Sequence, residues 1–162
     1  MQERIWTLKN SIALLISIAI AQGAGLLGSL ATRPKIDTWY QALEKPFFTP
    51  PDWVFPVVWP ILFLLMAIAI WLVWLKPESE LRTAAFWAYG VQLVLNITWS
   101  FLFFGLESPL TALMQINVLL IAIVATALIF YQVIRLAGVL MVPYILWVLF
   151  AMMLNASIAF MN

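Results

Sequence analysis

The chain of 162 residues contains no cysteine and no histidine. The commonest ligands of zinc, haem iron and iron–sulfur clusters are therefore missing, and we expect neither a metal site nor a resident cofactor. The Ser-His and Cys-His pairs of many hydrolases are excluded as well, so no catalytic residues are predicted on this basis. Disulfides give no information about the cellular compartment.

Charged residues are also scarce: they make up 9% of the chain, whereas 65% of the residues are hydrophobic. A soluble domain of this size has too much surface to cover with so few charges. The net charge is +1, and the eight Lys and Arg residues are spread along the chain, which argues against a nucleic-acid partner. The apolar surface must therefore face another solvent, and membrane lipid is the one that fits.

Five apolar stretches are long enough, at about 20 residues each, to cross the hydrocarbon core as helices. The charged residues all lie outside these stretches, as the cost of placing charge in lipid requires. The predicted fold class is all-α: an integral membrane bundle of five transmembrane helices forming a single domain over residues 1–162. The predicted helices cover residues 11–31, 54–75, 83–104, 109–131 and 138–160.

The first apolar stretch has features of a secretion signal, because Arg4 and Lys9 precede it and Ala19-Ile20-Ala21 resembles a signal-peptidase site. The apolar run continues to Ala31, however, which is longer than a typical signal core. We therefore expect a retained membrane helix.

Basic residues in short loops indicate the orientation of a membrane protein. Five of them share the side of the N-terminus: Arg4, Lys9, Lys76, Arg82 and Arg135. Three lie on the other side: Arg33, Lys35 and Lys45. This excess predicts an internal N-terminus and an external first loop.

The connection between the first and second predicted helices, residues 32–53, is unusually long. It contains Pro34, Pro46, Pro50 and Pro51 together with several aromatic residues. A loop of this length in a compact protein is usually functional or disordered. Its aromatic content predicts an ordered lid packed over one end of the bundle.

Several residues have the chemistry of helix ends or bends. Asp52 can cap the second helix, and Ser108 can cap the fourth, with Pro109 at its first position. Pro60 lies inside the second helix and should kink it. Trp71, near the end of that helix, is expected to anchor the chain at the lipid interface.

Aromatic and amide side chains recur three or four residues apart on three of the predicted helices, so that each set forms one stripe. These stripes are Phe55, Trp59 and Phe63; Gln92, Asn96, Trp99, Ser100 and Phe103; and Tyr144, Trp147, Ala151 and Asn155. If they converge, they enclose a cavity that holds a flat apolar ligand. We expect Trp59 and Trp147 to sandwich that ligand while Asn96 donates a hydrogen bond. The alternative is ordinary helix packing.

The same residues carry a resemblance to a known family. The runs Trp39 to Pro46 and Thr49-Pro50-Pro51 resemble the first-loop signature of the TspO/MBR family, which includes the translocator proteins and peripheral-type benzodiazepine receptors. The second-, third- and fifth-helix motifs of this family resemble Trp53 to Trp59, Gln92 to Gly105, and Val142 to Asn155. Linked motifs in the right order are far more specific than one short match.

The resemblance implies a five-helix bundle, commonly a homodimer, whose first loop closes a ligand pocket. Carried over by position, the ligand-binding residues are Tyr40, Pro50, Phe55, Trp59, Asn96, Trp99, Ser100, Trp147 and Ala151. Trp99 stands where other members often carry Phe. The chain has no Lys or Arg after Asn155, unlike the sterol motif of animal members, which suggests a bacterial or plastid-lineage member. We expect a multi-pass protein of a bacterial cell membrane.

By resemblance, the function is that of a membrane receptor or transporter for protoporphyrin-like tetrapyrroles and benzodiazepine-site molecules, with porphyrin as a ligand rather than a cofactor. One alternative is a light-dependent porphyrin-degrading enzyme, in which Trp59 and Trp147 would be the oxidisable residues. Another is a scaffold or sensor that a ligand modulates. Arg33, Lys35 and Lys45 are candidates to meet porphyrin propionates, solvated loop charges being the alternative.

Assembly is predicted from small residues on the third helix. Ala84 and Ala88 form a small-xxx-small pair, which permits close approach of two helices. We expect a homodimer through this face, the alternative being packing within one protomer.

Overall fold

The computed structural model describes residues 6–162; Arg4 lies outside the described residues. Within this part of the chain, all regular elements are helices. They are α1 (Leu8–Lys35), α2 (Val54–Trp74), α3 (Glu80–Ser100), α4 (Pro109–Val133), α5 (Arg135–Leu140) and α6 (Val142–Met161). A π-helical turn, Ile36–Tyr40, extends α1, and another, Phe101–Gly105, extends α3.

These elements form five spans that are long and apolar enough to cross a membrane: Leu8–Tyr40, Val54–Trp74, Glu80–Gly105, Pro109–Val133 and Arg135–Met161. The outer surface of the bundle is apolar, with side chains such as Ile121 70% exposed. Such a surface is stable only against lipid. The prediction of an all-α membrane bundle of five helices is confirmed, and the protein is an integral multi-pass membrane protein.

The first span is longer than predicted. The apolar pattern predicted an end at residue 31 and a loop over residues 32–53, but the helix continues through Tyr40. Pro34 lies inside the helix without ending it, because the chain widens into the π-helical turn directly afterwards; membrane helices commonly accommodate proline in this way. Helical structure ends at residue 42, and the non-helical connection, which we call the α1–α2 loop, is limited to residues 43–53.

The predicted helix caps were partly right. Ser108 is the N-cap residue of α4 and Pro109 its first residue, although the Ser108 hydroxyl makes no capping bond. The Asp52 cap is wrong: Trp53 precedes α2, and one oxygen of the Asp52 carboxylate accepts a 3.0 Å hydrogen bond from the Gln41 amide instead. Asp52 therefore stabilises the α1–α2 loop rather than the helix end.

Contacts at the two chain ends define how the spans alternate. The Trp6 ring stacks on Trp71 near the end of α2, at a centroid distance of 5.6 Å. At the opposite end of α2, the Asn162 side chain accepts from the Glu44 amide at 2.9 Å and donates to the Glu44 carbonyl at 3.1 Å. The described ends of the chain thus lie at opposite ends of the bundle, as an odd number of spans requires.

Trp71 does not face the lipid interface as expected. It is only 6% exposed, and its indole nitrogen donates a 2.8 Å hydrogen bond to the Asn10 carbonyl. The residue lies on the inward face of α2, where helix rotation rather than distance from the span end decides exposure. Trp87, in contrast, is 73% exposed on the surface of the bundle.

Two glycines bring α1 close to its neighbours. A Cβ atom on Gly25 would lie 2.7 Å from the Phe63 ring of α2, and one on Gly28 would lie 2.9 Å from the Ser100 hydroxyl of α3. Only glycine permits these approaches without a shift of the neighbouring side chain. The close packing sets α1 against both helices at the level where the aromatic stripes lie.

Candidate ligand-binding site

A cavity of about 410 Å³ lies inside the bundle between α1, α2, α3 and α6. Eight of the nine predicted ligand-binding residues line it: Tyr40, Phe55, Trp59, Asn96, Trp99, Ser100, Trp147 and Ala151. Pro50, the ninth, lies in the α1–α2 loop and is not among the lining residues. The three stripes therefore converge, and their role in binding stays a prediction.

One wall of the cavity is built from α2 and α6. The rings of Trp59 and Trp147 are in edge-to-face contact, with centroids 6.4 Å apart and planes at 90°. Phe55 packs against Trp147 in a similar way, at 5.9 Å and 68°. A third ring does not fit between Trp59 and Trp147, so the predicted sandwich is wrong. The two indoles instead form adjoining faces of one corner, against which a flat ligand can lie.

A second aromatic group comes from α3 and its π-helical extension. Trp99 stacks on Phe103 at 5.2 Å, with the planes 24° apart. Phe103 in turn contacts Phe104, and Tyr40 contacts both of these rings. Phe103 and Phe104 both lie in the π-helical turn, and both line the cavity.

The polar groups of the cavity are largely used to hold helices together. The Asn96 amide donates a 2.7 Å hydrogen bond to the Tyr144 hydroxyl, which joins α3 to α6. The Asn155 side chain accepts from the Trp99 indole at 3.1 Å and donates to the Pro109 carbonyl at 2.8 Å. Asn96 retains one further N–H for a ligand, since a primary amide carries two. The packing interpretation of these amides is therefore correct in part.

Two stripe residues behave differently from the rest. Gln92 is fully buried outside the cavity and donates to the Met66 sulfur at 3.7 Å. The indole nitrogen of Trp147 is buried and has no hydrogen-bond partner within residues 6–162. A buried donor without an acceptor costs free energy, so the wall holds one polar group that a bound acceptor could satisfy after a small shift of the ring.

Apart from Arg33, the residues that α1 contributes to the cavity were not predicted from the sequence. Gln22, Gly25, Ser29, Arg33 and Ile36 line the cavity, and their spacing of three or four residues continues to Tyr40. The Gln22 amide also donates a 2.9 Å hydrogen bond to the Pro60 carbonyl, which ties α1 to α2. The periodicity was a usable signal, but this face has no aromatic residue before Tyr40 and was not recognised.

The cavity reaches the outside of the bundle between α1 and α2. Leu26 is 62% exposed, and Arg33, Pro56 and Pro60 are also exposed, although all four line the cavity.

The described residues contain no group of three or more Asp and Glu side chains that could hold a metal ion. What the site offers is a large aromatic surface, a few amides and a lateral opening.

The fold and the cavity define a class: multi-pass membrane proteins of five helices with an aromatic ligand cavity inside the bundle. Residues 15–161 match the model of the TspO/MBR family. The chain belongs to this family, and the resemblance seen in its motifs is confirmed.

Individual relatives agree over nearly the whole length. The tryptophan-rich protein TspO of Chlorobaculum tepidum is 42% identical over 159 residues, which cover 95% of this chain and 98% of that protein. The tryptophan-rich sensory protein of Cereibacter sphaeroides is 38% identical over 143 residues, 88% of this chain and 87% of that protein. The translocator protein of Homo sapiens is 33% identical over 152 residues, 93% and 83% of the two chains.

Proposed function

We propose that this protein is a membrane receptor or transporter that binds protoporphyrin-like tetrapyrroles and related flat apolar molecules inside the helix bundle. The observation that carries the proposal is the cavity of about 410 Å³ with eight aromatic side chains in its lining. Its volume falls in the range of about 300–1,000 Å³ typical of ligand sites. Aromatic walls favour flat, apolar rings, because stacking adds to the burial of apolar area.

Porphyrin fits this site as a ligand rather than a cofactor. The chain has no histidine or cysteine, so the commonest strong axial ligands of haem iron are missing, and only Met or Tyr side chains, such as Tyr40 in the lining, could substitute weakly. Stacking on the indoles requires no metal, so it would hold a metal-free macrocycle as well as a metal-containing one. The names of the relatives, which contain the words translocator and sensory, support passage and sensing as the two forms that this function could take.

A flux measurement tests the transport form of the proposal. Sealed proteoliposomes loaded with protoporphyrin should release it faster than protein-free liposomes, and the variant Ala151→Phe, which fills the cavity, should fall to the protein-free rate. Binding without accelerated release would contradict transport and leave the receptor form. Absence of both would contradict the proposal.

We further propose a homodimer through α3. Ala84 is exposed and Ala88 half-buried on the surface of the bundle, so this small-residue face is available to a second copy. Replacing both alanines by leucine should convert the dimer into a monomer, measured as the protein mass in detergent by light scattering. The control Ala125→Leu, on the exposed face of α4, should leave the mass unchanged. A dimer in the double variant would place the interface elsewhere.

The proposed location is a bacterial cell membrane, with lipid as the surrounding partner. The support is that identity is higher to two bacterial relatives, at 42% and 38%, and to the TspO of the archaeon Archaeoglobus fulgidus, at 38%, than to the human protein, at 33%, which favours a prokaryotic cell membrane over an animal one. Fractionation of the native host should place the protein with the cell membrane.

A further inference from the structure

The face of α1 that lines the cavity carries one arginine. Arg33 follows Ser29 by four residues and precedes Ile36 by three, so the three side chains share one face of the helix. Among the lining residues of the cavity, only Arg33 and Asp52 are charged. The lining therefore holds one charge of each sign, while the rest of it is mostly aromatic and apolar.

The neighbouring lysines are already engaged. The Lys35 ammonium forms an ion pair with Glu107 at 2.6 Å. The Lys45 ammonium lies over the Tyr40 ring, 4.7 Å from its centroid, and donates to the carbonyls of Gln41 and Leu43 at 3.4 Å. Neither lysine lines the cavity. Three basic residues were predicted to meet a ligand carboxylate. Two of them, Lys35 and Lys45, therefore already interact with other groups of the protein.

Arg33 differs from these two lysines both in its position and in its contacts. It is exposed at the opening, and its guanidinium has no ion-pair partner within residues 6–162. A guanidinium carries several N–H donors in a planar array that matches a carboxylate. The position near the end of the span also lets the charged group stay at the water interface while a ligand body lies in the apolar interior.

We propose that Arg33 is a specificity-determining residue that pairs with a carboxylate on the edge of the flat ligand, so that the site prefers amphipathic anions over neutral rings of the same shape. The inference rests on the proposed function, since it assumes that such a ligand occupies the cavity. Asp52, the other lining charge, has one carboxylate oxygen accepting from Gln41 and disfavours a ligand carboxylate on its own side. The two charges together orient an asymmetric ligand.

The test compares two porphyrins that differ only in charge. Protoporphyrin IX and its dimethyl ester are titrated into purified protein in detergent, and the affinity ratio of wild type to variant is taken for each porphyrin, which cancels partition into micelles. Arg33→Gln should weaken binding of the free acid about fivefold, the upper range for an exposed ion pair. Binding of the ester should not change. Arg33→Lys should recover part of the loss for the free acid, because it restores the charge.

Arg135→Gln is the charge-matched control, because Arg135 lies at the other end of the bundle and donates to the Tyr131 hydroxyl at 2.6 Å. It should alter neither titration. Equal effects of Arg33→Gln on acid and ester, or no effect on either, would overturn the role of Arg33 and leave the proposed function standing. If wild type binds neither porphyrin, the proposed function fails and this inference fails with it.

Discussion

Replacing Trp147 by alanine should weaken protoporphyrin binding about tenfold or more. The Trp147 ring contacts Trp59, Phe55 and Phe150 at centroid distances of 6.4, 5.9 and 5.6 Å, and it forms one face of the cavity corner. Truncation removes the stacking surface, worth about 1 kcal/mol beyond area burial, together with part of the buried area itself. A loss of about 1.4 kcal/mol corresponds to a factor of ten in affinity. Quenching of the remaining tryptophan fluorescence by the porphyrin measures it.

The control for this variant is Trp87→Ala. Trp87 is 73% exposed and does not line the cavity, so its removal should leave binding nearly unchanged. Trp71 is unsuitable as a control, because it is buried and bonded to Asn10, and its truncation would loosen the bundle. If Trp147→Ala binds as tightly as wild type, or if Trp87→Ala loses binding, the cavity corner is not where the porphyrin stacks.

The spans could be predicted from the sequence because lipid imposes a simple condition on it. A segment that crosses the hydrocarbon core must be apolar over about 20 residues and satisfy its own backbone hydrogen bonds as a helix. Residues that share one helix face were also predictable, from their spacing along the chain. For this reason Phe55 and Trp59 on α2, and Trp147 on α6, were assigned to the cavity that they line.

Other features depend on information that spacing does not carry. Pro34 and the proline-rich run after it indicated a loop, yet a π-helical turn lets the helix continue to Tyr40. The side-chain torsion angles that set Trp59 and Trp147 at 90° to each other are chosen by packing, not by position along the helix. Likewise, sequence position does not distinguish Arg33 from Lys35, whereas the ion pair between Lys35 and Glu107 in the fold does.

If a tetrapyrrole binds inside the bundle, a side chain that fills the cavity should prevent its binding. Ala151 on α6 lines the cavity, so the larger side chain of Ala151→Phe can enter existing space without the strain of an overpacked core. Ala125→Phe makes the same change on the lipid-facing side of α4, where Ala125 is exposed.

The measurement is a protoporphyrin titration of both variants beside wild type, with thermal unfolding recorded for each. Ala151→Phe should lose more than about tenfold in affinity, equivalent to about 1.4 kcal/mol, while its unfolding temperature stays at that of wild type. Ala125→Phe should match wild type in both respects. Unchanged porphyrin affinity in a folded Ala151→Phe protein would mean that the ligand binds outside the cavity and would contradict binding inside the bundle.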